Sequence, residues 1–167
     1  VVLNEIKAMV SQLTRRFRLR GVNGIDFVLA RDREGRRRPF LVEVNPRYTG
    51  SMELMGRAYG VNVFSLHVEA VAGRLPDFSL ARQLQSQQST FGKAIVYARS
   101  EVTMPCTQDW SRRGRRDIPH PGERIEAGHP ICTVLSAADD RAACWSDLLS
   151  RSRAVRREIG DKIGGTL

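Results

Sequence analysis

The 167-residue chain is long enough for one compact domain with a small appended module, and its 41% hydrophobic content excludes a wholly disordered protein. Its formal net charge of +9 comes almost entirely from arginine, with lysine only at Lys7, Lys93 and Lys162. The arginines lie in separate clusters without interleaved aromatics, which argues against a dedicated nucleic-acid surface and for an anionic small-molecule partner.

No charged segment leads a long apolar run, and no apolar stretch approaches the roughly 18 residues of a membrane span, so neither a signal peptide nor a membrane helix is expected. The chain opens on Val1-Val2 and enters a helical pattern at once, as a fragment would. Cys106, Cys132 and Cys144 are odd in number and widely spaced. They lack metal-ligand spacing and read as reduced thiols of a cytoplasmic protein.

In chain order, Val2, Ile6, Met9, Val10 and Leu13 recur near helical spacing and predict an amphipathic helix over 2–18. Gly21 and Gly24 break it. Residues 25–29 (IDFVL) and 40–44 (FLVEV) have strand character, and the arginine-rich turn RDREGRRR between them makes an antiparallel hairpin the most economical pairing. Asn45-Pro46 ends the second strand. A loop at 47–50 leads to a helix carrying Met52, Leu54 and Met55, and a further helix is expected over 62–72 before Gly73. Residues 84–90 read as a linker and 91–138 as a small β-rich module, with strands at 91–100 and 131–135. An arginine-rich helical tail is expected over 139–167, with Leu148, Leu149 and Val155 on its apolar side. The fold class is therefore α+β: an antiparallel sheet with packed helices over 1–83, then the β-rich module and a C-terminal helix.

Asp26 and Glu43 each sit among apolar strand residues, where an unpaired carboxylate is costly to bury. A symmetric turn centred near Glu34-Gly35 sets position 26 opposite position 43, making the acids cross-strand neighbours that repel unless a cation lies between them. Asn45, two residues beyond Glu43, shares its strand face, and this oxygen donor set suits Mg²⁺ or Mn²⁺ better than zinc. Arg47 could aim a guanidinium at phosphate or carboxylate oxygens around the same centre. The competing structural reading gives each acid a local arginine partner, and a one-residue slip in register would separate the pair.

GVNGIDFVL followed by PFLVEVNPRYTGSMEL resembles the closing motif of the ATP-grasp enzymes, particularly the carboxylate–amine ligase branch akin to biotin carboxylase. The resemblance is specific over residues 21–55 and looser to about 76. It implies the C-terminal half of an ATP-grasp fold, with ATP and Mg²⁺ or Mn²⁺ as cofactors. It further implies Asp26, Glu43 and Asn45 as metal ligands, Asn45 and Val28 beside the nucleotide, and Arg47 at the substrate or the transferring phosphoryl group. Thr49 and Ser51 fall where the family lines its acceptor pocket. The implied activity is ATP-dependent joining of a small carboxylate to an amine through an acyl phosphate, in a cytoplasmic protein compatible with a homodimer. The family's other half, with its lysines and glycine-rich loop, is not recognisable upstream of Asp26, and Lys7 and Lys93 do not match it. The fragment alone is thus expected to be inactive.

Two rival readings have their own signatures. A degenerate ATP-grasp remnant would act as a basic binding module. A biotinyl- or lipoyl-carrier reading of 91–138 is disfavoured, because Lys93 sits within FGKAIV rather than at a hairpin tip. His120 and His129 lie beside prolines in turns and read as solvated; His67 falls on a helix face; Trp110 and Trp145 read as packing anchors.

Overall fold

In the computed structural model, which describes residues 2–75 and 89–161, the amphipathic helix is α1, Val2–Arg16. Its expected apolar stripe, Val2, Ile6, Met9, Val10 and Leu13, is half-buried while most of the other positions are exposed. The helix packs on the second strand of the following hairpin, and Arg38 Nε reaches Glu5 Oε2 at 3.4 Å across that contact.

The hairpin is antiparallel, with β1 at Gly24–Arg31 and β2 at Arg37–Asn45. Both strands run into the arginine-rich segment that sequence assigns wholly to the turn, because backbone pairing continues for any side chain until Asp32 intervenes. Its Oδ1 accepts from the backbone N–H of Glu34 and Arg36, at 3.0 and 2.9 Å, and Gly35 takes a positive φ of 77°. That narrows the turn to 32–36.

Beyond a loop come α2, Ser51–Tyr59, and α3, Val63–Val71, which pack together. Gly60 closes α2 in the left-handed conformation with φ 61°, and Asn62 caps α3 by accepting from Ser65 N at 3.0 Å.

The chain divides into two compact units, Val1–Gln85 and Ser86–Leu167. In the first, Met52 and Val63 are the fully buried apolar side chains among the described residues. Residues 84–88 of the expected linker lie outside the described residues, as does the end of the expected tail from 162.

The second unit pairs β3, Thr90–Tyr97, antiparallel with β6, Pro130–Ala138; β4, Val102–Thr103, pairs with β5, Arg124–Ile125. Helix α4, Arg141–Glu158, begins at Asp140, whose Oδ1 accepts from Ala143 N at 2.8 Å, and packs on β3 and β6. Gly92 permits that approach: a Cβ there would stand 2.7 Å from both Cys144 Sγ and Leu148 Cδ1. The core gathers Val96, Met104, Trp110, Ile131, Val134 and Val155. Leu148 and Val155 are buried as expected, but Leu149 is exposed, and so is Trp145, at 63%. Trp145 is therefore not a packing anchor: α4 turns a single face to the sheet, and position 145 lies off it.

The three cysteines are free, with Cys106 exposed. Burial pushes the Cys132 thiol up to about 11, so it stays protonated and unreactive at neutral pH. None of the described helices is long and apolar enough to cross a membrane.

Candidate functional site

The hairpin brings Asp26 and Glu43 directly opposite each other. Their pairing follows the symmetric register, but the ladder then slips by one residue: Phe27 pairs with Leu41 and Val28 with Phe40, leaving Val42 as an extra, bulged residue. Paired positions share a face of the ribbon. The acid-bearing face therefore continues as Val28 with Phe40, and Gly24 with Asn45 lies at its other end.

One expectation fails. Asp26 and Glu43 are exposed, not buried among apolar neighbours. Apolar residues flank them along the chain, yet the hairpin has two strands and the described residues leave much of its surface open, including Val28 at 53% and Phe40 at 46%. The desolvation argument for a bound cation therefore falls, and the charge argument stands in its place. Among the described residues no guanidinium pairs with either acid, and the Asp26 side chain has one hydrogen bond, from Asn45 Nδ2 to its Oδ2 at 3.3 Å. Two facing carboxylates without a counter-charge repel.

Asn45 is the buried member, at 7% exposure. Its amide nitrogen is spent on Asp26, and none of the described hydrogen bonds uses its Oδ1. Arg47 follows on the exposed loop, its Nη1 donating to the Tyr48 carbonyl at 3.3 Å; the structure does not bring its guanidinium to either acid. Thr49 folds back over the start of β1, where a Cβ on Gly24 would meet its Cγ2 at 2.7 Å and Asn45 Cβ at 3.4 Å. Its hydroxyl lies 3.0 Å from the Ser51 hydroxyl, so these two side chains hydrogen-bond each other.

No group of three or more His, Cys, Asp and Glu side chains that could hold a metal occurs among the described residues. A cation here would rest on two carboxylates and one amide oxygen, with water and phosphate oxygens completing its shell. That incomplete, all-oxygen set fits Mg²⁺ or Mn²⁺, which commonly keep waters and take substrate phosphates.

Sequence reasoning missed two contributors. Phe40 is brought to the acid-bearing face by the bulge, which no alternation rule announces. His67, expected to have no task, accepts a hydrogen bond from Val22 N at 3.1 Å through Nδ1 and packs against Gly21, whose φ is 71°. It thereby fixes the corner from which β1 departs. His120 and His129 are exposed; the His120 N–H donates to Glu123 Oε2 at 2.9 Å.

The sequence model of the ATP-grasp domain matches residues 2–51, the stretch holding α1 and the whole hairpin. The match lies wholly within the first unit. The chain is similar to N5-carboxyaminoimidazole ribonucleotide synthetase from Thermotoga maritima, with a TM-score of 0.55 at 14% identity over 87% of this chain and 39% of that one. The likeness is one of fold alone, and it agrees with the expected α+β class. An uncharacterized protein of Methanocaldococcus jannaschii is 24% identical over 133 residues, 80% of this chain and 30% of its relative. That span exceeds either unit, so it takes in at least part of each. The chain covers under two-fifths of each of these relatives' lengths.

Proposed function

We propose that this chain forms the metal- and phosphate-handling part of an ATP-grasp ligase that joins a small-molecule carboxylate to an amine. The observation that carries the reading is the facing, uncompensated pair Asp26 and Glu43 within the segment matched by the ATP-grasp domain. In this reading Asp26, Glu43 and Asn45 hold a divalent cation. Bound there, Mg²⁺ or Mn²⁺ would neutralise charge on the phosphate oxygens of ATP.

The protein's own residues do the rest. Asn45, fixed by burial and by its bond to Asp26, sets the spacing of the oxygens. Val28 and its partner Phe40 offer an apolar surface beside them for the nucleotide. Arg47, on an exposed loop, is free to swing toward the transferring phosphoryl group and neutralise charge as it develops. Thr49 and Ser51 line the acceptor side. The reaction is attack of a carboxylate oxygen on the γ-phosphorus with loss of ADP; the amine nitrogen then attacks the acyl phosphate and phosphate leaves. The opposing half of the nucleotide grip belongs to further sequence, so the 167 residues alone are inactive in this reading. A cytoplasmic location, where ATP is available, and a homodimer of the whole protein go with it.

Calorimetric titration of Mg²⁺–ATP into the full-length protein tests the assignment. Glu43→Gln is expected to weaken binding roughly tenfold or more and to abolish ADP release, because removing one carboxylate removes a metal ligand. Equal affinity and equal turnover in the two proteins would remove the metal role. Absent nucleotide binding in both would favour a degenerate ATP-grasp remnant serving as a basic binding module.

A further inference from the structure

The second unit contains a cleft of ≈ 80 Å³ between the turn at 113–115, β6 and α4. Its apolar lining is Val134, Leu135 and Ala154, and the rest of its lining is Arg113, Gly114, Arg115 and Arg151. Three arginines from two separate stretches of chain thus line one small space. Two carboxylates accompany them, Glu158 and Asp147, and these use only part of the donor capacity. Arg113 reaches Glu158 through Nη1, at 3.4 and 3.3 Å. Arg151 donates through Nε to Asp147 at 2.7 Å. Arg115 donates through Nη2 to Glu158 at 2.6 Å.

Arg115 is the informative member. It is nine-tenths buried, its guanidinium lies 4.2 Å over the Trp110 ring, and its Nη1 is buried with no acceptor among the described residues. Held rigid against the indole, Arg115 sets a fixed positive charge beside the cleft, and the half-exposed Arg113 and Arg151 keep further donors for an anion there. The cleft has room for a small tetrahedral oxyanion.

We propose that this cleft binds a single phosphate-type oxyanion, as the free ion or as the terminal group of a phosphomonoester. The site belongs to the second unit and is independent of the hairpin acids.

The test is a titration of the full chain with inorganic phosphate, followed by backbone amide NMR. Saturable shifts are expected at Gly114, Leu135 and Ala154, with one ion bound. Arg113→Gln combined with Arg151→Gln is expected to weaken binding by roughly tenfold or more, while the charge-matched pair Arg141→Gln and Arg153→Gln changes it less than about twofold. Arg113 and Arg151 are half-exposed, so the double variant keeps the core; should it fail to fold, the location of the wild-type shifts decides. Glycerol phosphate distinguishes the two sources: shifts with both ligands identify an ester-tolerant site, and shifts with phosphate alone identify a free-ion site. Non-saturating shifts, shifts spread over the exposed arginines, or equal losses in both double variants would overturn the proposal.

Discussion

Glu158 does more in the second unit than any residue singled out by the sequence. Its carboxylate accepts from Arg115, from Trp110 Nε1 at 2.8 Å and from Arg113, partners 43 to 48 residues away. A partner that distant leaves no local spacing to read, so in sequence the residue is one acid in an arginine-rich helix. The Arg115 hydrogen bond, opposed by desolvation and aided by Trp110, holds its carboxyl below the ordinary 4.5. Asp147 is likewise held down, by Ser136 and then Arg151. Groups depressed on folding stabilise the folded state fully above their ordinary values, and that contribution fades as pH falls through the folded ones. Urea unfolding of the second unit should therefore be level from neutral pH to about pH 5 and weaken below it. Glu158→Gln should cost about 2 kcal/mol at pH 7, because it strands the Arg115 guanidinium, and should flatten the acid limb.

Among the elements, the β1–β2 hairpin and the stripe of α1 were legible because local patterning decides both. Asp26 opposite Glu43 followed from the position of Gly35 in the turn. The bulge at Val42 did not, since an extra residue changes which side chains share a face without altering composition. The exposure of the acids was illegible for another reason: apolar neighbours along a strand say what could be covered, not what covers it. At β3 the informative signal is a glycine. Gly92→Ala would drive a methyl into Cys144 and Leu148, and it should destabilise the second unit by about 1–3 kcal/mol, read as a shift in the urea midpoint. Gly24→Ala, pressing on Thr49, should instead displace the 47–50 loop and, under the proposed function, lower turnover of the full-length protein more than it lowers stability.

For the whole molecule, the two units differ in how they are stabilised. Among the described residues, the second has a contiguous buried cluster from Val96 to Val155, while the first buries the apolar side chains of Met52 and Val63 and leaves Leu29, Leu41 and Val42 open. A piece comprising 86–167 should therefore unfold in one cooperative thermal transition, while 1–85 alone should show a broad one and bind a hydrophobic dye. Calorimetry of the two pieces checks this; a sharp transition in the first piece alone would count against it. The last described turn adds a further consequence. Asp161 is buried and accepts from the Arg99 N–H and the Ser100 hydroxyl at 3.2 to 3.3 Å, so the turn after α4 fastens the turn after β3. During synthesis the turn after β3 goes without this latch until Asp161, 62 residues beyond Arg99, has cleared the ribosome, whereas β6 and α4 can already cover the strand itself.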